Sequence, residues 1–410
     1  MANEKRSLVS NVIAALGGEA IQAIFGVAIF FGVVFQLSQE SFGLYVAVTA
    51  TGLILGTLAN LGSQEILVRN VSRGADLSDE WGKTVTTQAI GALIGLGIGM
   101  AVRPIFYPDL SWLTAFIFLA LNIFVFWAVE TTVRVGQATD NLTIGTRGRL
   151  FFGIGRLVGV ASFLLIGTGD IDDYALVAGP LGLAGGAAAV LQTIKTTSTR
   201  PRLSLASMDR LIRGIPFVGT AGAQDLLAGF DRPLLSANGL VVETGNYGIA
   251  DRIARISSIP TLALVRATAS DFFRSGETDD RRTFALATQY ARPAIAYGFT
   301  ASIGVGTAAL LLRGFVPDRL EPVLPMLAAL SALSTLHATQ LFPANVLTGT
   351  DRQSTRLVLY ISAAGLNIVL NLLWIPIWGW PGAAAATLVA ETLLAILLWI
   401  VAWRLTMHAS

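Results

Sequence analysis

Apolar residues run through the chain in long blocks, separated by short clusters of charged and turn-forming residues. A bilayer core asks for about 20 apolar residues per helix. Twelve blocks meet that length, at about 8–36, 42–68, 84–102, 112–133, 149–167, 174–194, 211–240, 247–265, 288–312, 322–347, 355–377 and 381–403. The seventh is the least regular, and Pro233 is expected to kink it. All connections are short, so no extramembrane domain fits between the blocks. The pattern predicts an all-α polytopic membrane protein.

Two blocks break the pattern with charge. Phe230 to Arg266 is mostly apolar, yet carries Asp231, Arg232, Asp251, Arg252 and Arg255. At about 100° per residue, Asp251, Arg252 and Arg255 share one sector of an ideal helix. Ile249, Ile253, Ile256 and Pro260 lie opposite. In the preceding block Gln224, Asp231 and Asn238 recur at seven-residue spacing, as do Asp225 and Arg232. An ion at the bilayer centre costs roughly 2.5–3.5 kcal/mol, so such side chains face a water-filled cavity or a partner. The structural alternative is mutual neutralisation of Asp251 and Arg255, one helical turn apart, inside a packed bundle. Striping of both helices favours the cavity.

Composition settles the class. Hydrophobic residues make up 53% of the chain and charged residues 13%, against about 25% charged in soluble domains. The net charge of +2 is no sign of nucleic-acid binding, because the basic residues sit in short loops. Their distribution sets orientation. Of the 28 Lys and Arg, 21 fall in loops that are cytoplasmic if the N-terminus is inside, and Arg103, Arg313 and Arg319 fall in outer loops. Arg156, Arg232, Arg252 and Arg255 lie within spans. The bias supports an even helix count and two cytoplasmic termini.

The chain repeats itself weakly. Gly43-Leu-Tyr45 and Gly245-Asn-Tyr247 open the second and eighth helices, at an offset of 202. Ala138-Thr-Asp140 and Gly349-Thr-Asp351 follow the fourth and tenth, at an offset of 211. This predicts two pseudo-symmetric six-helix lobes: residues 1–194, a cytoplasmic linker at 195–210, and residues 211–410. Parallel repeats of this kind occur in transporters that bind substrate between lobes.

Other positions read as structural. Glu65 with Arg69, and Glu130 with Arg134, are spaced to pair along one helix. Trp81, Tyr107, Trp112, Trp378 and Trp380 suit interfacial belts. His337 reads as a hydrogen-bonding residue within the bundle, and Asp170, Asp172 and Asp173 as a solvated turn. With no cysteine and only two histidines, no metal or cofactor site is expected. No phosphate-cradling glycine loop or nucleophile elbow points to an enzyme. Acids inside a bilayer are the usual ion-relay groups. The candidates for ion coupling are therefore Glu19, Asp225, Asp231 and Asp251. Asp231 is favoured, and Asp251 is the weakest because arginines engage it.

The segment Ala344–Leu393 contains Asn367 and Asn371, Ile375-Pro376, and Gly379 with Gly382-Ala-Ala. It resembles the eleventh and twelfth helices of polysaccharide flippases of the MOP (MATE-like) superfamily, the Wzx-type O-antigen and exopolysaccharide transporters. Phe42–Arg69 is similar to the family's second helix and Phe230–Ile253 to its seventh and eighth. The resemblance implies transfer of an undecaprenyl-diphosphate-linked oligosaccharide from the cytoplasmic to the outer leaflet of the cytoplasmic membrane, coupled to an ion gradient. On that reading Arg232, Arg252 and Arg255 offer guanidinium forks to phosphate oxygens. The implied partners are the lipid-linked oligosaccharide, membrane lipid and other polysaccharide-assembly proteins, with no nucleic acid. The expected state is a monomer. The rival within the superfamily is a multidrug exporter, for which acidic and aromatic cavity residues would be expected. A polytopic glycan polymerase or ligase would need a larger outer loop.

Overall fold

The structure, a computed structural model, describes residues 24–277 and 279–407. It is helical almost throughout, with no strand among the described residues. Short polar connections start the helices. Ser38, Asp76, Ser111, Asp170 and Asp279 each accept a backbone N–H two or three residues on, which satisfies the orphan donors of the first turn. Asp170 is thus a helix cap, and Asp172 accepts a 3.0 Å hydrogen bond from Ser111.

The first six spans are α1 (Ile24–Gln36), α2 (Gln39–Ala59) with α3 (Ser63–Val71), α4 (Leu77–Phe106), α5 (Trp112–Ala120) with α6 (Phe126–Ala138), α7 (Thr143–Leu164) and α8 (Ile171–Thr197). Next come α9 (Met208–Gly229) with α10 (Asp231–Ala237), and α11 (Val241–Ile256) with α12 (Ile259–Gly276). The last four are α13 (Asp280–Leu311), α14 (Val323–Leu330) with α15 (Leu333–Gly349), α16 (Gln353–Trp378) and α17 (Trp380–Met407). These follow the twelve expected blocks in order, and seven of the spans are long and apolar enough to cross a membrane.

Several blocks are interrupted, each for a local reason. The second breaks at Leu61 and Gly62, both left-handed at φ 50° and 66°. A Cβ on Gly62 would stand 2.3 Å from the Gly214 carbonyl oxygen, so only glycine admits the approach. The seventh breaks at Phe230, just before Pro233, whose ring nitrogen cannot donate to the helix. The eighth begins at Val241, earlier than expected, and breaks at Ser257–Ser258 ahead of Pro260. The tenth breaks at Ser331–Ala332, while Pro343 lies inside α15. The fourth carries a π-helical turn, Leu121–Val125.

The chain divides into two compact units between Gly222 and Ala223. In the first, α2 is the enclosed rod: 78% of its apolar window is buried, against 22% for α4. The exposed Leu93, Ile94 and Ile98 of α4 therefore suit contact with lipid. Small residues let α7 and α8 approach closely, with Gly155 against Gly185 and Gly159 against Ala178. The segment after α8 docks on the start of α4. Ser78 accepts from Arg202 N–H at 2.9 Å and donates to the Arg200 carbonyl at 2.6 Å. Arg210, buried, reaches Glu80 and Thr84. In the second unit, Phe272, Phe342, Leu347, Leu394 and Leu398 belong to one continuous core.

Two expectations about pairing and belts are corrected. Glu65 bonds Arg134 at 3.5 Å, and Glu130 bonds Arg149 at 3.1 Å, so both acids reach across helices. The break at Gly62 turns α3 against α6, which offers Glu65 a partner outside its own helix. Trp81 and Tyr107 are buried, and Tyr107 donates to the Gly99 carbonyl. Trp112 and Trp378 are exposed, as an interfacial position requires.

The repeat has a backbone signature. Asp140 and Asp351, matched at the offset of 211, are both left-handed, at φ 53° and 57°. Each lies just beyond the end of its helix. The same offset sets the π-helical turn at Leu121 against the break at Ala332.

Candidate functional site

The charged stripe is assembled in the second unit. The break at Phe230 starts a short helix, α10, with Asp231 and Arg232 in its first turn. The adjoining α11 presents Asp251 and Arg255 one turn apart. Arg255 Nε lies 2.8 Å from Asp251 Oδ1 and 2.9 Å from Oδ2. Arg232 donates to Asp251 Oδ2. Both guanidinium groups also donate to the Ala228 carbonyl, at 3.3 Å from Arg232 and 3.2 Å from Arg255. One carboxylate is thus shared by two arginines. The Asp251 side chain is 6% exposed, and those of Arg232 and Arg255 are 18% and 29% exposed. The carboxylate is enclosed while both cations keep an open edge.

This arrangement contains the pair that the sequence offered as the structural alternative, with Arg232 added. Taken alone, the two arginines and Asp251 keep one positive charge in excess. Arg252 and Asp225 are half-buried on α11 and α9. Glu19 lies outside the described residues.

Asp231 faces other partners. It is buried, and its Oδ2 lies 3.5 Å from Thr387 Oγ1. Thr387 in turn stands 3.5 Å from Asn367 Nδ2, and Asn371 Nδ2 donates to Asn367 Oδ1 at 2.9 Å. Asp231 Oδ1, Asn371 Oδ1 and the Tyr247 hydroxyl are buried without a well-formed hydrogen bond among the described residues, the Tyr247 hydroxyl lying against Asp231 and Thr387. Buried polar atoms are nearly always paired, so this set of oxygens from α10, α11 and α16 suits an ion, a proton or water. Asn367 and Asn371 entered the sequence reading only through the family resemblance; here the first of them connects through Thr387 to Asp231.

One acid was missed. Glu391 on α17 is buried, accepts from Gln340 Nε2 at 2.6 Å, and has His337 Nε2 at 3.7 Å. His337 Nδ1 lies 3.2 Å from Ser258 Oγ at the break between α11 and α12. His337 is therefore a bundle hydrogen-bonding residue, as expected, but it also links a buried acid to that break. The signal was present: Glu391 is the sole acid in the apolar run of α17.

No protein-family model and no curated protein matches the sequence. Solved structures do match in fold. A multidrug resistance MATE family transporter of the MOP superfamily, in its inward-facing conformation, superposes with a TM-score of 0.71 at 13% identity, covering 96% of this chain and 98% of that one. The MATE multidrug transporter DinF-BH gives 0.66 at 18% identity, over 97% and 95%. A MOP superfamily transporter from Pyrococcus furiosus, described by the reverse polarity of its binding pocket, gives 0.61 at 14% identity, over 98% and 96%. The fold is that of MOP-superfamily transporters, and the chain is a multi-pass membrane protein.

Proposed function

We propose that the chain is a flippase that carries an undecaprenyl-diphosphate-linked oligosaccharide from the cytoplasmic to the outer leaflet by alternating access, coupled to an ion gradient. The observation that carries this reading is the sharing of Asp251 by Arg232 and Arg255, whose guanidinium groups keep an open edge inside an apolar bundle. A diphosphate is a strong competitor for such forks, because it offers paired oxygens and more charge than one carboxylate. The half-buried Arg252 lies on the same helix as Arg255. Asp231, with the Thr387 and asparagine oxygens, supplies the coupling group. A neighbour of the same fold described by a reversed pocket polarity supports the idea that this fold takes substrates of different charge.

A second reading, a multidrug or cation exporter, is favoured by the buried acids Asp231 and Glu391. The two readings separate in a flippase-deficient strain. Glycan at the cell surface on expression of this chain, and strongly reduced glycan with Arg255→Ala at equal protein level, supports the flippase. Absence of glycan together with raised resistance to cationic drugs supports the exporter.

A further inference from the structure

Arg156 stands apart from the charges described so far. It lies on α7, about 12 Å of helix before Leu164, and Ile154 and Val158, two residues either side and so on the opposite face, are exposed. No ion pair or hydrogen bond joins it to the described residues; its guanidinium lies over the Phe152 ring, whose centroid is 5.6 Å from its Cζ. A cation in this position is expensive, and within membrane spans such a residue marks a ligand path or a missing partner.

The structure supplies the space for that partner. Arg156 lines a cavity of about 30 Å³ in the first unit, together with Thr49, Asn122, Tyr174 and Gly182. That volume exceeds the roughly 10–15 Å³ that admits one water, so the cavity has room for a small polar group. The lining contains no Asp or Glu, so Arg156 is its only formal charge. Gly182 leaves room beside the arginine stem, its added Cβ falling 3.8 Å from Arg156 Cγ. Thr49 Oγ1 is buried and makes no hydrogen bond to the described residues. Asn122 donates one amide hydrogen to the Phe118 carbonyl, which fixes its orientation. Among the described residues, a guanidinium without a counter-ion and a hydroxyl without a partner meet around one small cavity.

We infer that this cavity is a subsite for a carboxylate-sized anion, held by Arg156 with Thr49 as a second donor. Two sources share that chemistry: a free small anion, and a carboxylate carried by a larger transported molecule such as an acidic sugar. The subsite does not depend on the flippase reading, since it lies among residues that reading leaves unused.

Thermal unfolding of the purified, detergent-solubilised full chain tests it, at constant ionic strength, with acetate, glucuronate and neutral glucose as probes. A saturable rise in Tm with acetate or glucuronate but not glucose, abolished in Arg156→Gln, is the expected result. Acetate acting alone identifies a free anion, and glucuronate acting alone identifies a carried carboxylate. Arg156→Lys should keep a weakened response. Thr49→Val should keep the fold and weaken the apparent affinity about tenfold, the loss of one hydrogen bond to a charged group. The proposal is overturned if neither carboxylate shifts Tm, if glucose shifts it equally, or if Arg156→Gln responds like the wild type.

Discussion

Arg255 Nε sits 2.8 Å from one carboxylate oxygen of Asp251 and 2.9 Å from the other. One helical turn separates the two residues, so the contact requires no long-range folding. Arg232, from the preceding helix, closes on the same carboxylate. The group is therefore a bridge between α10 and α11, and the charges can be rearranged without dismantling either helix.

This arrangement sharpens the test of substrate binding. If Arg255 serves only to neutralise Asp251, the double substitution Asp251→Asn/Arg255→Gln should restore export, because the pair is removed together. On the flippase reading it should fold and insert but not export, although Arg232 keeps its charge. Arg255→Ala should lower export roughly ten- to a hundredfold, the scale of a lost charge-assisted hydrogen bond. Arg255→Lys should fall between, since it keeps charge without the fork. The exposed Arg282→Ala is the control. Surface glycan, with protein level measured by blot, is the readout.

The helical plan was legible because membrane spans are written as long apolar blocks, and each described element falls on one. The stripe of Asp251 and Arg255 was legible because helical spacing places both on one face. The union of Arg232 with Asp251 was not, since it depends on the break at Phe230 and the way α10 meets α11. The same limit explains Glu65 and Glu130. Spacing offered each an arginine in its own helix, while packing offered one on a neighbour. Glu391 needed no such packing knowledge. An acid in an apolar run already marks itself, and it was overlooked within a family motif.

Asp231 should govern coupling. Its buried Oδ1 lacks a hydrogen-bond partner, and its Oδ2 borders a hydroxyl that leads to Asn367 and Asn371. Asp231→Asn should uncouple transport measured in proteoliposomes, leaving the rate indifferent to an imposed gradient. Running the assay with a proton gradient and then a sodium gradient identifies the ion. Asn371→Ala should weaken the same response while leaving the Arg255 phenotype in place. Wild-type rate and gradient dependence in Asp231→Asn would remove this residue from the mechanism.

Orientation can be checked at the end of α12. Arg274 has a 77% exposed side chain, whereas its neighbour Ser275 is buried and accepts a hydrogen bond from Thr283. A cysteine replacing Arg274 should therefore report topology without disturbing packing. The distribution of arginine and lysine predicts a cytoplasmic position for this connection. An impermeant maleimide should label Arg274→Cys in inverted vesicles and not in intact cells. Labelling of intact cells at this position would reverse the proposed topology.

Stability of the first unit should depend on Glu80 and Arg210. Their side chains are 8% and 7% exposed and form an ion pair, to which Asn70 adds a 2.8 Å hydrogen bond on Glu80 and Thr84 a 3.0 Å bond on Arg210. The pair ties the segment after α8 to the start of α4, beside Gly82, where an added Cβ would stand 1.7 Å from the Arg202 carbonyl oxygen. Removing one buried partner strands the other, at a cost of about 3–5 kcal/mol. Glu80→Ala should therefore lower the thermal midpoint strongly. Glu80→Gln should do less, because an amide oxygen still accepts from Asn70. The double substitution Glu80→Leu/Arg210→Met should recover much of the loss, because paired removal of buried charge is often near neutral. Gly82→Ala tests the same junction through shape alone, and it should destabilise even with both charges intact. If Glu80→Ala unfolds at the wild-type temperature, the junction does not anchor the unit.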